Sequence, residues 1–194
     1  MNNEVLINYL LQFETLNRQQ IDLINSSISE QTYHAGDYFL KAGQTSKEIG
    51  FITNGIFRVC YYDHSGNEIT RYFVDELNFI ADINGYHTGL QTTEYIQAVT
   101  DCRVLILTKQ AMENLSRTII AWDSITSKIT VKALAEKVSR VSLMMPQDAI
   151  TRYEYFLEKF PNLANRIPLQ YIASYIGVTK SSLSRLRRDI GKRK

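Results

Sequence analysis

The chain has little of what metal and disulfide chemistry require. Only two cysteines occur, Cys60 and Cys102, each inside an apolar, strand-like run. Two thiols this far apart cannot supply the four thiolates of a typical iron–sulfur cluster, and a reducing compartment disfavours a disulfide between them. Buried free thiols are expected. The three histidines, His34, His64 and His87, show no metal-ligand spacing. The sequence has no His-x-His, so a metal-dependent enzyme built on a β-roll lacks its ligands. No catalytic residue, metal ligand or cofactor is expected, and the chain does not read as an enzyme.

No apolar run approaches the ~20 residues that cross a bilayer. The start, Met1-Asn2-Asn3-Glu4, lacks the basic and apolar stretch of a secretion signal. A cytoplasmic protein with no membrane partner is the expectation. Hydrophobic residues make up 44% of the 194 residues, too many for a disordered chain and enough for a packed core.

The net charge of +2 hides an asymmetry. Residues 151–194 carry ten Lys and Arg against three Asp and Glu, a net of +7; residues 1–150 carry twelve against seventeen, a net of −5. A basic end on an acidic body is the electrostatic layout of a nucleic-acid reader attached to something else.

The basic end contains the most informative stretch, Ile167 to Arg188. Pro168 suits the first turn of a helix, where a missing N–H costs little. Leu169, Ile172, Ala173 and Ile176 share one face at helical spacing. Gly177 ends that helix, because glycine accepts the left-handed conformation. Thr179 is a good N-cap for the next one. Leu183 and Leu186 give the second helix an apolar edge. Lys180, Ser181, Ser182, Ser184, Arg185, Arg187 and Arg188 give it a hydroxyl-rich, basic outer surface. The order of elements predicts a helix-turn-helix whose second helix, at about 179–189, enters the major groove of double-stranded DNA. Arg185 can offer two donors to guanine O6 and N7, and the hydroxyls and flanking arginines suit phosphate oxygens. The plainer reading is a helical hairpin with a solvated basic face.

Ahead of it, residues 4–13 and 17–24 read as short packing helices, the second capped near Thr15 or Asn17. From about Gln31 to Leu107, short β-rich runs alternate with turns: Tyr38 to Leu40, Ile49 to Thr53, Ile56 to Tyr62, Ile69 to Val74, Tyr95 to Val99 and Cys102 to Leu107. Asn54-Gly55 reads as a hairpin turn. Even spacing of short strands suggests a small antiparallel barrel or double-layer roll. A mixed segment, Asp75 to Thr93, interrupts the strands. It is either a ligand site or an ordinary helix and loop packed on the roll.

Lys109 to Leu115 reads as a short helix. A long one follows from about Thr118 to Met145, with no Gly or Pro until Pro146, and would span about 40 Å. Ile120, Ser124, Ser127, Val131, Leu134, Val138, Val141 and Met145 alternate steps of three and four along it, which is a heptad seam. Trp122, Ile125 and Ile129 form a neighbouring stripe that could pack on the roll. A helix apolar on two sides has two partners, its own domain and a second subunit; burial within one subunit is the alternative. Pro146-Gln147-Asp148 breaks the helix, and Ala149 to Phe160 forms another amphipathic one. The division is a β-roll at 1–117, a dimerisation helix at 118–145 and a DNA-binding unit at 146–194. The fold class is α+β.

A β-roll, a long dimer helix and a C-terminal helix-turn-helix in this order resemble the Crp/Fnr family of bacterial transcription regulators. Ala35-Gly36-Asp37 looks like the family's Pro-Gly-Asp turn, and Phe51 to Gly55 like its Phe-Ile-x-x-Gly strand and turn. Ile172-Ala173, Gly177 and Ser184-Arg185 look like its Leu-Ala, Gly and Ser-Arg signature. The resemblance implies a cyclic-nucleotide-binding-like roll (a double-stranded β-helix), a homodimer on two-fold DNA, RNA polymerase as a partner and a small-molecule effector. It assigns Lys180, Ser181 and Arg185 as base readers and Thr179, Ser182, Ser184, Arg187 and Arg188 as phosphate contacts.

The effector pocket departs from the family pattern. Members that bind cyclic AMP carry a Phe-Gly-Glu segment and then an Arg-Ser pair before a Val-x-Ala strand. Here the matching stretches are Phe79, Ile80, Ala81 and Asp82, and then Thr92 and Thr93, before Ile96-Gln97-Ala98. The phosphate-pairing arginine is replaced by threonine. Burying an unpaired phosphate is costly, so tight binding of cyclic AMP is not expected and the effector is unknown. The chain also ends before a β-hairpin wing could follow the recognition helix; the tail Lys192-Arg193-Lys194 would supply backbone contacts instead. An alternative function is a ligand-binding roll whose basic end docks on a protein.

Overall fold

The computed structural model describes residues 3–144 and 148–191. Two short helices open the chain, α1 (Glu4–Leu10) and α2 (Arg18–Ser26). Asn17 caps α2 in a capping box: its side chain accepts from the Gln20 N–H, and Gln20 accepts from the Asn17 N–H.

Eight strands follow: β1 (Ser29–Tyr33), β2 (Tyr38–Leu40), β3 (Glu48–Asn54), β4 (Phe57–Tyr62), β5 (Glu68–Val74), β6 (Phe79–Ile80), β7 (Tyr95–Ala98) and β8 (Cys102–Thr108). They form two four-stranded antiparallel sheets, ordered β1-β8-β3-β6 and β2-β7-β4-β5. The roll is therefore the double-layer type the strand spacing predicts. Period-two alternation sorts its side chains. Val104 and Ile106 of β8 face the interior with Ile52, Phe57 and Val59, while Leu105 and Leu107 face outward onto α1. Both cysteines are buried and free.

Two expectations for the roll are corrected. Asn54-Gly55 is not a hairpin turn, because β3 and β4 lie in different sheets. Gly55 carries the chain across from one sheet to the other with φ at +99°, and a Cβ there would meet the Asp101 carbonyl and Cys102. The interrupting segment also hides a two-residue strand, β6, ahead of α3 (Ile83–Thr88).

Helix α4 (Lys109–Thr118) is separate from the long helix, α5 (Trp122–Met144). The expected start at Thr118 fails because Ile119 is extended and buried in the cluster beneath α1. Ile120, the first expected seam position, thus lies outside the long helix and is fully exposed. Along α5, Trp122 and Ile125 are buried and Ile129 packs on the same cluster. On the other face Ser124 and Ser127 are exposed, and Val131, Leu134 and Val138 are 64%, 58% and 56% exposed. The helix is not buried within one subunit. The Val141 side chain and Met145 lie outside the described residues.

Helix α6 (Ala149–Lys159) begins at Asp148, whose carboxylate accepts from the Thr151 N–H at 2.9 Å. Two further helices, α7 (Leu169–Tyr175) and α8 (Lys180–Gly191), end the chain. Their core is continuous with the outer face of the second sheet: Phe156, Tyr175 and Leu183 share one cluster with Ile56, Phe73 and Val99.

Candidate functional site

Helix α7 ends as glycine at 177 predicts. Gly177 has φ of +71°. Its N–H donates to the Ser174 carbonyl at 3.2 Å, and the Val178 N–H donates to the Ala173 carbonyl at 2.9 Å. These two bonds form a Schellman motif and turn the chain sharply into α8. The Thr179 hydroxyl then accepts from the Ser182 N–H at 3.1 Å and caps α8. It also lies 3.0 Å from the Ser181 hydroxyl and 2.9 Å from that of Ser182, so the three hydroxyls gather at the helix start.

Leu183 is wholly buried and anchors α8. Thr179, Lys180, Ser181, Ser182, Ser184, Arg185, Arg187 and Arg188 are all exposed. The face carries one acidic residue, Asp189, also exposed. The tail Lys192-Arg193-Lys194 lies outside the described residues.

Polar contacts fix this unit to the roll. Arg58, on the outward face of β4, is 1% exposed. Its Nη2 donates to Glu68 Oε2 at 2.7 Å and its Nε to Gln97 Oε1 at 3.0 Å. The ring of Tyr171 in α7 covers the guanidinium. One turn on, the Ser174 hydroxyl donates to the Glu68 carbonyl and accepts from the Thr70 N–H, both at 2.9 Å. Arg166 Nη1 donates to Glu76 Oε2 at 3.0 Å. Sequence reasoning missed this seam. Its one signal is an arginine in the otherwise apolar run Ile56 to Cys60. Burial pushes the neighbouring Cys60 thiol up to about 11, which leaves it without nucleophilic thiolate at neutral pH.

A half-open cavity of about 1020 Å³ lies between β5, the α3 region and α5. Of the candidate pocket residues, Phe79, Ala81, Asp82, Thr92 and Thr93 line it. Ile80 does not; its side chain, 2% exposed, is closed off among its neighbours in the roll. The cavity also takes Arg71, Glu94 and His87, Trp122 and Lys132 from α5, and Tyr175 from α7. Arg71 and Glu94 form an ion pair. Residues far apart in sequence make this wall, so spacing carried no signal for it. Among the described residues, no group of three or more His, Cys, Asp or Glu could hold a metal ion, and no helix is long and apolar enough to cross a membrane.

Residues 30–118 match the cyclic nucleotide-binding domain family. FixK2 from Bradyrhizobium japonicum superposes with a TM-score of 0.74 at 15% identity, over 86% of this chain and 85% of that one. A putative Crp/Fnr-family transcriptional regulator from Eubacterium rectale gives 0.71 at 16%, over 96% and 88%. The chain has the Crp/Fnr fold. CLP, the c-di-GMP-responsive global regulator of Xanthomonas campestris, gives 0.72 at 12%, over 91% and 92%. No curated protein matches the sequence. Most residues that line the cavity fall within the matched segment, while Trp122, Lys132 and Tyr175 lie beyond it.

Proposed function

We propose that the protein is a homodimeric transcription regulator that reads two-fold operators through α8. The observation that carries this is the two-sidedness of α8. Leu183 is sunk into the core while every cation and hydroxyl of the helix is exposed. A helix held in this way can place Lys180, Ser181 and Arg185 on base edges and Thr179, Ser182, Ser184, Arg187 and Arg188 on phosphates. The exposed apolar stripe Val131, Leu134 and Val138 supplies the face for a second copy. Two α8 helices would then enter major grooves about 34 Å apart.

In this reading the protein acts in the cytoplasm, with RNA polymerase as its further partner. The cavity is the effector site, and the effector is not cyclic AMP, since Thr92 and Thr93 bring no charge to its wall. The reading requires no enzymatic step. The test is retention of fragmented genomic DNA by the purified protein under excess non-specific competitor. Retention of a reproducible subset supports the reading; uniform loss of all fragments with added salt contradicts it.

A further inference from the structure

We propose that the cavity takes a largely apolar ligand with a neutral or cationic head group, and that the Arg71–Glu94 pair turns anions away. This rests on the reading of the cavity as the effector site.

The lining is dominated by side chains such as Val59, Phe79, Ile96, Leu107 and Ile129. At about 1020 Å³ the space lies at the upper end of small-ligand sites, which run to about 1,000 Å³. A ligand that fills it buries mostly apolar surface. Its charged lining is two cations, Arg71 and Lys132, against three carboxylates, Asp82, Glu94 and Glu136.

Both cations are engaged. Arg71 is held by Glu94. Lys132 Nζ sits over the rings of Tyr9 and Phe13, at 5.1 and 5.9 Å from their centroids. The Glu94 N–H donates to Thr92 Oγ1 at 3.2 Å, which ties the bend just ahead of β7 to the buried threonine. The threonine thus helps place a carboxylate at the wall instead of providing a countercharge. An anion entering here meets a guanidinium whose charge Glu94 already offsets, and lies close to that carboxylate. Repulsion from Glu94 offsets what the anion gains from Arg71. A neutral or cationic head group leaves the pair intact.

The experiment is calorimetry on the full-length protein with four probes: naphthol, naphthylmethylamine, naphthoate and cyclic AMP. The first three share one apolar body and differ in charge. Naphthol and naphthylmethylamine are expected to bind at least about tenfold more tightly than naphthoate and cyclic AMP. In Glu94→Gln, which frees the guanidinium, naphthoate affinity rises about tenfold. Adding Arg71→Gln removes that gain. Naphthoate or cyclic AMP binding the native protein as tightly as naphthol would overturn the proposal. So would a Glu94→Gln protein with unchanged naphthoate affinity. If the folded native protein takes none of the four, the effector-site reading itself fails, and the proposal with it.

Discussion

The guanidinium carbon of Arg58 lies 3.6 Å from the centroid of the Tyr171 ring. One residue belongs to the roll and the other to the first helix of the helix-turn-helix. The same guanidinium is bound by Glu68 and Gln97, so the sheet presents a fixed cation to the ring. Residues on the opposite face of this sheet, Val59 among them, line the cavity. The strand β4 therefore touches the cavity through Val59 and α7 through Arg58.

Arg58→Met is expected to lower stability by about 3 kcal/mol, because it leaves Glu68 without its partner. Tyr171→Leu costs less, about 1–2 kcal/mol. A double-mutant cycle in urea should give a coupling of about 1–2 kcal/mol between the two. Additive losses would show that the ring only covers the arginine and does not bind it.

The bridge between Glu76 and Arg166 should be acid-sensitive. Burial pushes the Glu76 carboxyl up, but hydrogen bonds from Arg166 and the Gly55 N–H outweigh it and hold the carboxyl below its ordinary 4.5. A lowered carboxylate contributes stability above pH 4.5 and loses it as pH falls through the lower folded value. Thermal melts should show a steeper acid limb for the native protein than for Glu76→Gln. Superimposable limbs would remove Glu76 from the account.

The exposed stripe on α5 predicts a dimer that charge can split. Val131→Glu with Val138→Glu alters two solvent-facing positions and should leave the subunit folded. Sedimentation should report a monomer, and affinity for a two-fold operator should drop by about 10²-fold or more as the second half-site is lost. A double variant that remains dimeric would place the interface elsewhere.

Base and phosphate contacts on α8 should separate by specificity. Arg185→Ala is expected to cost about 1–3 kcal/mol and to relax preference at one base pair. Arg188→Ala should weaken all sequences alike and reduce the salt slope by about one. Binding titrations across an operator substitution series distinguish the two patterns.

Much of this architecture was legible in the sequence where one rule governed a stretch. Leu169, Ile172, Ala173 and Ile176, followed by Gly177 and Thr179, specify a helix, its stop and the next cap through local chemistry, and each does what that chemistry demands. Strands buried on both faces announced themselves by apolar runs. The polar edge strand β1, Ser-Glu-Gln-Thr-Tyr, did not, because four of its five residues are exposed. The break at Ile119 was invisible because an apolar residue fits a helical stripe and an extended core position equally well. Asn54-Gly55 carries a hairpin signature, yet tertiary pairing sends the chain to the other sheet. The cavity was half legible: the segment at 79–82 was found, but Arg71 meets Glu94 across 23 residues of sequence, and no local pattern encodes that.

Operator reading by α8 is tested by selection of DNA from a random pool with the purified protein, run beside Arg185→Ala. The expected outcome is an enriched two-fold motif with half-sites about one helical turn apart, and loss of preference at one position of each half-site in the variant. Enrichment of no motif, or of one that Arg185→Ala leaves unchanged, would contradict it.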